Sequence, residues 1–170
     1  MKKIGIEAYR FLKKNDTAVI ATSYLNLPYA STIYYLVDDK FNFHFATKMN
    51  TDKFLNLKAN KNVSLVVGVG PKHVSVQVRG QATVVKGKNQ RKRILESIEE
   101  MLHKKVKVWP IRLMSRLKGK RKAVDQEVVY KIIPQHLSFI NIDDKDYPVS
   151  MSKRHHRIIP DLERKKSSKK

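Results

Sequence analysis

The chain has 170 residues, 41% of them hydrophobic, which suits one globular domain with a sizeable core rather than a disordered segment. The absence of cysteine excludes disulfides, thiolate metal centres, iron–sulfur clusters and cysteine nucleophiles. With 36 Lys and Arg against 15 Asp and Glu, the formal charge is +21, so anionic partners are favoured by a long-range, salt-sensitive field.

In chain order, Ile4 to Leu12 predicts an amphipathic helix with Ile4, Ala8, Phe11 and Leu12 on one side, ended by Asn15-Asp16. Thr17 to Ser23 is a strand-like run of small and β-branched residues. Leu27-Pro28-Tyr29 predicts a turn into a second strand, Ala30 to Val37. Asp38-Asp39-Lys40 predicts a short turn into Phe41 to Ala46, which completes a hairpin. The lysines and amphipathic pattern of Met1 to Lys14 lack the continuous apolar stretch of a signal peptide, and no apolar run reaches membrane-spanning length. A soluble cytoplasmic protein is expected.

Phe43 to Lys53 then reads as a strand that stops at a hydroxyl, turns through small polar residues and enters a helix with a lysine in its first turn. A helix start offers unpaired N–H groups and the positive end of the macrodipole, so it favours a phosphate. Thr47 and Thr51 can add hydroxyl donors and Lys53 a full charge. The alternative is that Thr51 or Asn50 caps the helix and Lys53 is solvated. Phe54, Leu57 and Leu55 are the candidates for its inward face.

Val63 to Val69 predicts another strand, and His73 to Val85 alternates strongly, with Val74, Val76 and Val78 on one face. Gly80 within that run predicts a bulge or a close backbone approach. Asn89 to His103 is helical, its stripe of Ile94, Leu95, Ile98, Met101 and Leu102 suiting core packing. Pro110 opens a candidate short basic helix, Ile111 to Leu117. Glu127 to Ile133 predicts a strand ended by Pro134, and His136 to Ile142 one more. The predicted division is one domain over residues 1–148 and a basic, flexible tail over 149–170. Basic residues are concentrated in Lys86 to Lys122, with 14 Lys or Arg against 3 Glu, and in Met151 to Lys170, with 8 against 2 acids. The element order predicts a mainly β protein, an antiparallel barrel with helical decoration.

Thr17 to Thr22, Ser31 to Tyr35, Phe43 to Lys53, Asn60 to Val63 and Val76 to Gly80, taken in that order and spacing, resemble the flavin-binding split-barrel proteins related to pyridoxamine 5′-phosphate oxidase. The resemblance covers roughly Phe11 to Gly80 and returns at Tyr130 to Ile142. It implies a six-stranded, antiparallel Greek-key split barrel that forms a homodimer, with FMN in the cleft between subunits. Carried over by position, Ser31, Thr32 and Ile33 would run along the isoalloxazine ring, partly through backbone groups. Ala46 and Thr47 would close on the ribityl-phosphate side, Thr51 and Lys53 would hold the phosphate, and Gln77 would reach the flavin. The resemblance implies an oxidoreductase of unspecified substrate, with no identifiable catalytic side chain and no metal. The vitamin-forming oxidase has basic residues where this chain has Ser31 and Leu36, so pyridoxal phosphate synthesis is not implied.

Two other classes stand beside this one. Haem handling occurs in some split-barrel relatives and needs an axial ligand, for which His155, His156 and His136 are the candidates. A flavin-free barrel that binds nucleic acid would draw on the basic blocks together with Tyr9, Tyr34, Tyr35, Trp109 and Tyr130.

Overall fold

The computed structural model describes residues 3–68, 74–105, 127–141 and 156–157. It holds helices α1 (Lys3–Lys14), α2 (Asp52–Ala59) and α3 (Lys88–Lys105). The strands are β1 (Thr17–Tyr24), β2 (Leu27–Tyr34), β3 (Leu36–Val37), β4 (Phe43–Lys48), β5 (Asn62–Val67), β6 (Val74–Val84), β7 (Glu127–Asn141) and β8 (His156–Arg157). The predicted basic helix after Pro110 lies outside the described residues. So does the predicted tail, apart from His156 and Arg157, which pair with Phe139 and Ser138 of β7.

Every strand pair is antiparallel, in the order β2-β1-β5-β6-β7-β4-β3. The path has seven strands where six were predicted. The difference is local: only Tyr35 separates β2 from β3, so one bent run of chain pairs with β1 at one end of the path and β4 at the other. Counted as one strand, it curls the sheet into a six-stranded split barrel. The Tyr35 side chain is buried at the bend and donates to the Leu12 carbonyl of α1 at 2.9 Å. Burial, helped by the nearby Asp16 charge, pushes its phenol pKa well up, so it stays a donor.

Alternation puts Ile20, Ile33, Phe43, Phe45, Leu65 and Val78 inside the barrel. A second cluster forms where α3 lays Ile94 and Ile98 over Val85 and Val129. α2 is held by the buried Asn56, whose amide donates to Thr22 Oγ1 at 3.0 Å, and by Leu57. Leu55, a candidate for the inward face, is 55% exposed.

Two predicted breaks fall elsewhere. The β1–β2 turn lies at Leu25-Asn26, both with positive φ (46° and 64°), and Pro28 sits inside β2 opposite Ser23. Two successive left-handed residues match the twist of a tight hairpin, which a turn through Pro28 would not. Pro134 does not end a strand either: β7 runs on to Asn141. β4 pairs with β7 only as far as Ile132, so beyond it Pro134 has no β4 ladder to interrupt. The predicted irregularity at Gly80 is present. The β6–β7 register shifts between Arg79 and Gly80, leaving Gln135 as the extra residue, and a Cβ on Gly80 would collide with the Ile133 carbonyl.

Candidate functional site

Where β2 bends away toward β3 and α2 begins, the seam of the barrel gathers several of the polar residues singled out from the sequence. Thr51 is the N-cap of α2: its Oγ1 accepts from the Phe54 N–H at 3.3 Å and donates to the Lys48 carbonyl at 2.9 Å. Thr47 Oγ1 lies 3.0 Å from Thr51 Oγ1. The Thr51 hydrogen is already committed to Lys48, so Thr47 is the donor in that pair. The capping geometry leaves the N–H groups of Asp52 and Lys53, in the first turn of α2, without intrahelical acceptors.

Lys53 reaches back across the seam. Its Nζ donates to Ser31 Oγ at 3.1 Å and to the Thr32 carbonyl at 3.4 Å, so β2 and α2 are tied by one ammonium. Burial pulls the Lys53 pKa below the usual lysine range. Among the described residues no carboxylate lies within ion-pair distance of it. Lys53 is thus a half-buried cation whose neighbours are neutral oxygens, an arrangement that a bound anion would complete.

The remaining residues fall into three positions. Ile33 is buried in the barrel core, so only its backbone faces the seam. Ala46 packs against the cluster beneath α3 on the other face of β4. Gln77 is exposed on the outer face of β6, away from the Lys53 group. The register links it to that group nonetheless, because Thr32, Val19, Val66 and Gln77 lie in one row across four strands. Three interstrand steps put Thr32 and Gln77 about 14 Å apart along the sheet.

One row further along, Ala21, Ser64, Arg79 and His136 face outward on β1, β5, β6 and β7. They line an open cavity of about 410 Å³, with Ser23, Pro28, Asn62 and Gln135 at its margin. His136 contacts Ser138 Oγ at 2.9 Å. Arg79 is exposed and points out into this cavity. The cavity escaped the sequence reading because its members come from four strands and meet only through register. The single local signal was Gly80, whose bulge aims Gln135 and His136 at the rim.

The sequence profile of the pyridoxamine 5′-phosphate oxidase family matches residues 5–141. The chain belongs to this family. No curated protein matches it. Solved structures with the same fold include a Listeria innocua protein named for that oxidase, 16% identical, with a TM-score of 0.64 over 82% of this chain and 99% of that one. General stress protein 26 of Bacillus anthracis is 17% identical, with a TM-score of 0.61 over 81% of this chain and 93% of its own. An FAD-binding protein from Mesorhizobium loti is 20% identical, with a TM-score of 0.58 over 79% and 92%. At these identities the likeness establishes the split-barrel fold of the family. No helix among the described residues is long and apolar enough to cross a membrane.

Proposed function

We propose that this family member binds FMN in a cleft between two copies of the barrel and works as a flavin-dependent oxidoreductase in the cytoplasm. The observation that carries the reading is Lys53: a half-buried cation with no carboxylate within ion-pair distance among the described residues, set beside the start of α2. A phosphate dianion fits that place, because it supplies the missing counter-charge and accepts from the first-turn N–H groups. Thr47 can turn its hydroxyl from Thr51 toward the same anion, and Thr51 contributes by holding the helix start in position.

Ser31, Thr32 and the Ile33 backbone would lie along the ring, with Thr47 and the Ala46 backbone on the ribityl-phosphate side and the Gln77 amide available to orient the ring's polar edge. The flavin, when bound, would supply the electron or hydride transfer itself. The cavity beside Gln77 gives an electron donor or substrate a place against that face, with Arg79 in reach of any acidic group that enters. For the second copy, the exposed Tyr24, Leu27, Tyr29 and Tyr34 along β1 and β2 offer an apolar surface next to the half-buried Val19 and Val66.

The test is the visible spectrum of the purified protein after addition of FMN and desalting, with haem added to a parallel sample. A retained flavin spectrum is expected, with a dimer on sizing. A bare FMN sample beside a sharp Soret band would reverse the assignment in favour of a histidine-ligated haem.

A further inference from the structure

We infer that the N-terminal half of α3, with the residue pair leading into it, is a docking surface for the phosphate backbone of nucleic acid. Lys86, Lys88, Lys92 and Arg93 are all exposed, and Arg91 lies at the margin of the group. Five cations therefore occupy eight consecutive residues without an acid among them. Lys88 and Lys92 stand one turn apart on the same side of the helix, where like charges repel. The only ion pair given to any of these residues within the described part of the chain is Lys92–Glu96 at 3.8 Å, both side chains largely exposed.

The placement runs against what helix stability asks for. Cations crowd the positive end of the macrodipole, the first turn holds no acid, and the exposed carboxylates Glu96, Glu99 and Glu100 come later in the helix. Among the described residues only the exposed Lys92–Glu96 pair offsets that order, whereas a row of phosphates would reward all of it. Ile94 and Ile98 are spent on the barrel beneath, and Leu95, Met101 and Leu102 pack against the same cluster.

That packing decides which polyanion fits. An interfacial membrane helix needs an apolar face free to enter the lipid, and the apolar face of α3 is already covered by the barrel. The N-terminal half of α3 contains no aromatic residue, so it has no platform for stacking bases. What remains is a contact made by charge alone, with the backbone and not with base edges.

The experiment is fluorescence anisotropy of a labelled 20-base-pair DNA duplex of mixed sequence, titrated with the full chain across a salt series. Two variants of equal charge are compared. One carries Lys86→Gln, Lys88→Gln, Lys92→Gln and Arg93→Gln; the other carries Arg10→Gln, Lys14→Gln, Lys40→Gln and Lys61→Gln, all exposed and far along the chain from α3. The α3 variant is expected to lose tenfold or more in affinity at low salt, and to flatten the salt dependence by roughly 0.9 in log–log slope for each phosphate contact removed. The control is expected to stay within about twofold of wild type. Equal losses in both variants would reduce the effect to net charge and overturn the assignment, as would no loss in either. Tight, α3-dependent binding to vesicles of mixed phosphatidylserine and phosphatidylcholine without binding to the duplex would overturn it in favour of a membrane surface. Circular dichroism of each variant checks the fold, and paired substitutions at Lys88 and Arg93 serve if the quadruple variant unfolds.

Discussion

Replacing Lys53 with Met should separate stability from cofactor affinity, because the same ammonium weighs on the two in opposite directions. In the free protein the charge is half-buried and rests on Ser31 Oγ and the Thr32 carbonyl, both neutral. Burial lowers its pKa, so the folded state favours the neutral amine more than the unfolded chain does. The cost of the charge is therefore present in full below the folded-state pKa and is relieved as pH rises toward the usual lysine range. Lys53→Met removes that cost while keeping a side chain of similar reach, so in urea at neutral pH the apo variant should be at least as stable as wild type. Any gain should shrink as the solution becomes alkaline. Toward FMN the balance reverses. A charge-assisted hydrogen bond to a phosphate is worth about 1.5–3 kcal/mol. At about 1.4 kcal/mol per decade, the dissociation constant should rise roughly 10- to 150-fold. Quenching of FMN fluorescence on titration measures it directly. Unchanged affinity in a folded variant would refute the phosphate assignment. An apo variant much less stable than wild type would refute the account of Lys53 as an uncompensated cation.

Thr51→Ala should cost about 1 kcal/mol of stability through loss of the α2 cap, and Thr51→Ser should restore it; equal urea midpoints for all three proteins would contradict the capping geometry. Gly80→Ala should be among the most damaging small substitutions, at about 2 kcal/mol or more in urea, since its methyl meets the Ile133 carbonyl; a tolerated alanine would show that the bulge can relax. Asp38 is partly buried, which alone raises its pKa, but hydrogen bonds from the Asn42 side chain and backbone, His44 and the Lys40 N–H outweigh this and hold it below the ordinary carboxylate range. Its stabilising contribution is then present above the unfolded-state pKa and lost as pH falls through the folded one. Acid unfolding of Asp38→Ala should accordingly show less loss of stability below about pH 4 than wild type, from a starting point lower by about 1–2 kcal/mol.

Much of the barrel was legible because its signals are local. Alternation in Val76 to Val84, the apolar stripe of α3 and the sequence Thr47 to Lys53 each show within a dozen residues what they form. The misplaced features share the opposite property. Leucine is an unusual residue for the left-handed turn at Leu25-Asn26, and local propensity pointed to Pro28 instead. Pro134 reads as a stop unless it is known that β4 has already ended beside it. Asn56 faces inward at a position where composition favoured Leu55, because its amide meets Thr22 from a strand far back in the chain. The proposed site divides along the same line. The half made of Thr47, Thr51 and Lys53 is contiguous and was found, whereas the outward row of Ser64, Arg79 and His136 exists only after three strands have taken their register.

The seam also bears on the order in which the molecule assembles. β4 closes on β7, whose paired residues lie 79 to 89 positions later in the chain, from Lys48↔Glu127 to Phe43↔Ile132. A barrel joined in that way cannot grow hairpin by hairpin, and its closing contacts carry a large loop-closure entropy. The Thr47–Thr51 hydroxyl contact and the α2 cap are strictly local and have no such delay, so the start of α2 can form while the chain is otherwise open. The reach of Lys53 to Ser31 spans 22 residues and has to wait for β2 to arrive. A chain caught before closure would thus hold a formed turn and a loose lysine, and phosphate or FMN present during refolding should speed the last step rather than the first.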